Sequence, residues 1–147
     1  MTTKSSSQAS TPLGTLANEV RLACMRISRR VRFESTDVIA PHQFSVMARL
    51  EDAPRTSREL AGIERVSAPS MSRTVAGLVE RGFVLRQADP TDGRQVILSL
   101  TPEGLAVLKD SRRRRDQWMA VRLKNLPAHE REILARAAEI LSRVAGE

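Results

Sequence analysis

The stretch TSRELAGIERVSAPSMSRTVAGLVERGFV, residues 56–84, decides the fold of this chain. Thr56-Ser57-Arg58-Glu59 has the form of a capping box: the threonine hydroxyl accepts from the backbone three residues on, and the glutamate reaches back to the cap. The short helix it opens is expected to carry Leu60, Ala61 and Ile63 inward. Val66-Ser67-Ala68-Pro69 ends that helix and starts another within a few residues. In the second helix Met71, Val75, Leu78 and Val79 recur at helical spacing and mark a buried face, and Gly82 is placed to terminate it. Two short helices joined by a tight turn make a helix-turn-helix.

Downstream the apolar period changes to two. Residues 83–87 read as a strand, and Val96, Leu98 and Leu100 alternate with Gln95, Ile97 and Ser99 in a second. Between them Ala88-Asp89-Pro90-Thr91-Asp92-Gly93-Arg94 is rich in turn formers. A hairpin directly after a helix-turn-helix is a wing. Thr101-Pro102-Glu103 then starts a helix, with threonine as N-cap, proline in the first turn and an acid near the positive end of the dipole. Its pattern extends to about Asn125. Pro127 opens a last helix with Ile133, Leu134, Ala137, Ile140, Leu141 and Val144 along one stripe.

Upstream, Leu16, Val20, Ala23, Cys24, Ile27 and Val31 form one apolar stripe and predict a helix from about Leu13 to Glu34. A second helix is expected near Pro41, with Phe44, Met47, Ala48 and Leu50 as its inner face. The expected fold class is therefore mainly α with a small β-hairpin wing. The winged helix-turn-helix occupies about residues 41–101, between N- and C-terminal dimerisation helices at about 13–34 and 102–145. Residues 1–12, polar throughout, are expected to form a disordered tail, and residues 13–147 a single domain. The stripes on the first and last helices expose more apolar surface than a monomer leaves in water, so a homodimer is expected.

Composition agrees with this reading. At 147 residues the chain suits one compact domain. Its 41% apolar content can support a core, and with three Phe, one Trp and no Tyr that core must come from Leu, Val, Ile, Ala and Met. No apolar run approaches the roughly 18 residues that a membrane helix needs, and the polar N-terminus lacks a secretory signal, so no membrane partner and a cytoplasmic location are expected. A single cysteine rules out an internal disulfide and a cysteine-based metal site. The net charge of +7 favours a polyanion as partner. That charge is spread over several elements: Arg21, Arg26, Arg29, Arg30 and Arg32 with no acid among them, and Arg112–Arg115 far downstream.

Three helices, a wing, then two long helices resembles the multiple-antibiotic-resistance regulator (MarR) family. The local matches are residues 56–84, the wing segment DPTDGRQVILSLTPEG at residues 89–104, and the two terminal arms. In the wing, the Asp-x-Arg pair Asp92 and Arg94 precedes Leu100-Thr101. The resemblance implies a dimeric transcriptional regulator that binds double-stranded DNA at a near-palindromic operator, here read as a repressor. Many members release DNA on binding a small anionic or phenolic ligand, or on oxidation of a cysteine. It implies no cofactor.

At about 100° per residue, the second helix of the motif sets Pro69, Ser70, Arg73, Ala76 and Gly77 opposite its buried face, with Ser72 and Thr74 on the flanks. Small residues let the backbone approach base edges and phosphates, and Arg73 can form bidentate bonds to guanine. Arg94, at the end of the wing turn, can enter a narrow minor groove. Asp92 is expected to orient that guanidinium or brace the turn, and Gly93 to supply a positive φ. The candidate DNA-binding set is therefore Pro69, Ser70, Ser72, Arg73, Thr74, Gly77, Asp92, Gly93 and Arg94.

Four consecutive helical residues point in different directions, so Arg112–Arg115 cannot form one DNA-facing patch. A mostly solvated face is expected, with one or two members near the junction of arms and winged region, where the family binds anions. Cys24 reads first as a small buried core residue. A redox role is the alternative, since nearby arginines lower a thiol pKa where sulfur is exposed. Peroxide sensors of the family use tyrosines beside their cysteine, and this chain has none. His42 and His129 match no metal spacing, and no phosphate-binding glycine loop or nucleophilic triad is suggested. Against an enzyme, a non-specific architectural DNA protein or a protein-binding winged helix, the pattern favours sequence-specific regulation.

Overall fold

The computed structural model describes residues 11–35 and 38–146, so the first ten residues of the expected tail lie outside the described residues. In chain order the elements are α1 (Leu13–Glu34), α2 (Pro41–Asp52), β1 (Arg55–Thr56), α3 (Ser57–Glu64), α4 (Ala68–Glu80), β2 (Val84–Ala88), β3 (Val96–Leu100), α5 (Pro102–Lys124) and α6 (Ala128–Ala145).

Local chemistry sets most of these boundaries. Thr56 Oγ1 accepts from the Glu59 N–H at 3.2 Å while Glu59 Oε2 accepts from the Thr56 N–H at 2.7 Å, completing the capping box of α3. Ser67 Oγ accepts from Ser70 N–H at 3.3 Å and starts α4, with proline in the first turn. Gly82, at φ +75°, closes α4: its N–H reaches Val79 C=O at 3.0 Å and the Phe83 N–H reaches Leu78 C=O at 2.9 Å. Thr101 Oγ1 accepts from Gly104 N–H at 3.0 Å and begins α5.

The wing is an antiparallel hairpin, Val84 opposite Leu100 and Ala88 opposite Val96. It gains a third strand that the sequence pattern did not predict. Arg55 and Thr56 pair with Leu98 and Ile97, so the sheet order is β1-β3-β2. Two residues are too short to show alternation, and their partner lies some forty positions away.

The core lies within α2 to α5. Val46, Met47 and Leu50 of α2 meet Leu60, Met71, Val75, Leu78, Val84, Leu98 and Leu108, with Ile39 beside them. Ile63, expected to face inward, is exposed although it stands one turn from buried Leu60, near the end of this short helix. Neither α1 nor α6 has a buried residue. Leu16, Ile27, Ile133, Leu134, Ile140, Leu141 and Val144 are all exposed. Cys24 is exposed as well, contrary to the buried core position expected for it. The stripe of α1 that carries it is not covered by α5, the helix α1 packs on within the protomer. No helix among the described residues is long and apolar enough to cross a membrane.

Candidate nucleic-acid interface

The geometry of α4 divides the face that the sequence projection treated as one. Pro69, Ser72, Arg73 and Ala76 are exposed, whereas Ser70, Thr74 and Gly77 are half-buried. Ser70 and Thr74 line a cleft of about 370 Å³ with His42, Gln43, Val46 and Arg73, and Thr74 Oγ1 donates to Ser70 C=O at 3.1 Å. A Cβ at Gly77 would stand 3.5 Å from the Gln43 side chain, an ordinary contact. The second helix is flanked by α2 as well as by α3, which a projection of α4 alone cannot reveal. Ser72 turns toward the wing, where it shares a smaller cleft with Ser57, Arg86, Val96 and Leu98.

At the wing tip two carboxylates hold the backbone. Asp89 Oδ1 accepts from both the N–H and the hydroxyl of Thr91 at 2.8 Å. These bonds, the backbone one foremost, hold its carboxyl below the usual range. Asp92 Oδ1 accepts from Arg94 N–H at 3.1 Å and its C=O from Gln95 N–H at 2.9 Å. Asp92 thus braces the turn through the main chain and leaves the Arg94 guanidinium unbonded among the described residues. Gly93 does not have the positive φ expected of it. With Asp92 closing the turn in this way, no left-handed residue is needed.

The arginines differ in whether they find a partner within the chain. Among the described residues the guanidinium groups of Arg58, Arg65, Arg73, Arg86 and Arg94 take part in no hydrogen bond or ion pair, and all five residues are exposed. They lie on α3, in the turn after it, on α4 and in the wing. Arg26, Arg29 and Arg32 of α1 and Arg131, Arg136 and Arg143 of α6 are exposed and likewise without such a partner among the described residues, but other arginines are committed. Arg30 pairs with Glu34 at 2.8 Å, Arg49 with Glu64 at 3.0 Å, Arg112 with Glu51 at 2.6 Å, Arg114 with Asp110 at 2.7 Å and Arg122 with Glu34 at 3.2 Å.

The run Arg112–Arg115 is therefore not the mostly solvated face expected of it. Arg112 reaches α2 through Glu51, Arg113 and Arg114 share Asp110, and Arg115 lies 3.5 Å from the centroid of the Phe44 ring. Sequence reasoning singled out Arg73 and Arg94 but missed Arg58, Arg65 and Arg86. Alternation gave no signal for Arg86: it stands on the same strand face as buried Val84, two residues away, and opposite buried Leu98, yet is exposed.

Two other sequence candidates stay apart from this face. Cys24 sits on α1 in a shallow depression with Met25, Ser28, Arg29, Arg32 and Phe33. His42 lies at the rim of the α2–α4 cleft. No group of three metal-ligating side chains occurs among the described residues.

The sequence model of the MarR family matches residues 39–96, the segment from the start of the core to the second wing strand. The HTH-type transcriptional regulator Mb0904 of Mycobacterium bovis is 40% identical over 134 residues, covering 90% of this chain and 94% of the relative. Among solved structures, apo MarR of E. coli superposes with a TM-score of 0.67 at 28% identity, covering 92% of this chain and 98% of that one. A MepR variant of S. aureus bound to an oligodeoxyribonucleotide shares the fold, with a TM-score of 0.66 at 17% identity over 88% of this chain and 97% of its own.

Proposed function

Because this chain belongs to the MarR family of DNA-binding transcriptional regulators rather than to any class of enzyme, we propose that it acts as a homodimeric repressor reading a near-palindromic operator. In this reading α4 enters the major groove and the wing tip the minor groove. The observation that carries it is the gathering of unpaired, exposed arginines on the helix-turn-helix and wing. Arg58, Arg65, Arg73, Arg86 and Arg94 are exposed and uncommitted there, and six further exposed arginines without a partner among the described residues, Arg26, Arg29, Arg32, Arg131, Arg136 and Arg143, lie on the arms α1 and α6. Uncommitted arginines can meet phosphates and base edges without first breaking an internal pair.

Arg73 is the proposed base reader and Arg94 the minor-groove residue. Pro69, Ser70, Ser72, Thr74 and Gly77 let the helix approach closely, and Asp92 with Gly93 shapes the loop that presents Arg94. The exposed stripes of α1 and α6 support mutual burial between two copies. Residues 13–147 then act as one unit, a reading head at about 41–101 carried on two arms. Release by a small anionic or phenolic ligand is proposed from the family's habit. The alternative mode of control is oxidation of the Cys24 thiol, which lies beside Arg29 and Arg32.

The test is selection of binding sites from a random-sequence duplex library, followed by footprinting. The expected result is two protected half-sites whose centres lie about one helical turn, roughly 34 Å, apart. Uniform protection of any duplex would instead establish an architectural protein. Sedimentation at micromolar concentration that showed only a 16.3 kDa species would overturn the dimer.

A further inference from the structure

We propose that Arg81 is a positioning residue that sets the angle of the reading helix relative to the arm leading to α1, and thereby selects the half-site spacing that the regulator accepts. This inference rests on the dimeric operator reading above. Arg81 is the C-cap residue of α4, yet its guanidinium bonds outside its own helix. Nη2 donates to Val38 C=O at 3.0 Å and Nη1 donates to Gln43 Oε1 at 3.4 Å, partners 43 and 38 positions earlier. The same Gln43 oxygen accepts the Ala40 N–H at 3.1 Å, closing the first turn of α2. The Arg81 guanidinium carbon lies 4.8 Å from the centroid of the Phe83 ring, so a ring face helps to orient the planar fork.

One side chain thus joins the end of α4, the first turn of α2 and the backbone at Val38, just upstream of α2. The arm itself is tied to α5: Glu34, the last residue of α1, accepts from Arg122 at 3.2 Å. Arg73 sits eight residues before Arg81, about 12 Å along the helix axis. A rotation of about 5° at the C-cap therefore moves the Arg73 backbone by about 1 Å. In a dimer both heads shift, and the change is felt as a mismatch of half-site spacing. Lysine cannot replace this contact fully, because an ammonium lacks the planar fork that reaches two acceptors and stacks on a ring.

The experiment compares wild type, Arg81→Met and Arg81→Lys on a duplex selected from a random library, and on versions respaced by one or two base pairs. Binding is measured where circular dichroism shows each protein folded. Wild type is expected to discriminate sharply against respaced duplexes. Arg81→Met is expected to bind the best spacing about fivefold more weakly and to lose much of that discrimination, with the salt dependence of binding unchanged. Arg81→Lys should fall between them, and it alone decides the matter if the methionine variant does not fold. If Arg81→Met weakens every spacing equally and lowers the salt dependence by about one phosphate contact, Arg81 touches DNA and the positioning role is wrong. A wild type with no spacing optimum would overturn the dimeric reading itself, and the inference with it.

Discussion

Gly104, in the first turn of α5, is buried against the main-chain carbonyl of Phe83, and a Cβ at residue 104 would overlap that carbonyl. The same carbonyl accepts the Thr101 N–H at 3.1 Å, and Thr101 Oγ1 donates to Gly82 C=O at 2.6 Å. The end of the helix-turn-helix and the start of the long arm are therefore one welded corner. The close approach of two backbones there requires the absence of a side chain. Gly104→Ala should cost about 1–3 kcal/mol of stability, because backbone rather than a flexible side chain must give way. Urea denaturation showing an unchanged midpoint would contradict this.

Arg65 and Gly82 should respond in opposite directions. Both close helices with a positive φ, +53° and +75°, a region that penalises a Cβ. Gly82→Ala should lower stability by about 1 kcal/mol. Arg65→Gly should raise it by about 0.5 kcal/mol, the relief of strain being partly offset by the greater freedom of glycine in the unfolded chain. Arg65→Gly also removes an uncommitted cation of the proposed DNA face, so thermal stability should rise while operator affinity and its salt slope fall. A variant that gains affinity along with stability would place Arg65 off the DNA.

Arg73 and Arg94 should be separable by single-base changes in a selected operator. Arg73→Ala is expected to cost about 1–3 kcal/mol and to relax preference at one position of each half-site. Arg94→Ala should weaken binding and reduce the preference for A·T-rich flanks, whose minor groove is narrow. Neither change should alter the melting temperature, since neither guanidinium has a partner among the described residues. Wild-type selectivity in Arg73→Ala would show that α4 does not read the bases.

Acid should weaken the fold through identifiable pairs. The Glu34 carboxyl is held below the usual range chiefly by its hydrogen bond with Arg30, that of Asp110 by Arg113 and Arg114, and that of Glu59 by the Thr56 backbone. Groups with a depressed folded pKa add stability that is complete above the ordinary carboxylate range and disappears as pH falls through the depressed value. The melting temperature should therefore be flat from neutral to about pH 5 and fall below about pH 4. Glu34→Gln and Asp110→Asn should each flatten that decline. A melting temperature that fell between pH 7 and 5 would point to other groups.

Much of this architecture could be read from residues close together in the chain. The bounds of α1, the Thr56–Glu59 box, the glycine after α4 and the Thr101 cap follow from periodicity and from hydrogen bonds between residues at most five apart. Such signals depend on φ/ψ preference and local donor–acceptor geometry, which the sequence determines before any element meets another. The apolar stripes of α1 and α6 were legible for the same reason.

What the tertiary structure decided is which face each neighbour covers and which charges find partners. The sequence showed that α4 has a buried side. That α2 half-covers Ser70, Thr74 and Gly77 depends on an element more than twenty residues away. A row of four arginines looked like the most conspicuous charge in the chain, yet Glu51, Asp110 and Phe44 engage it, while scattered Arg58, Arg65 and Arg86 remain uncommitted. The strand Arg55–Thr56 and the tie from Arg81 to Val38 span about forty residues each. Contacts of that range exist only after the core has brought the elements together, so no local pattern encodes them.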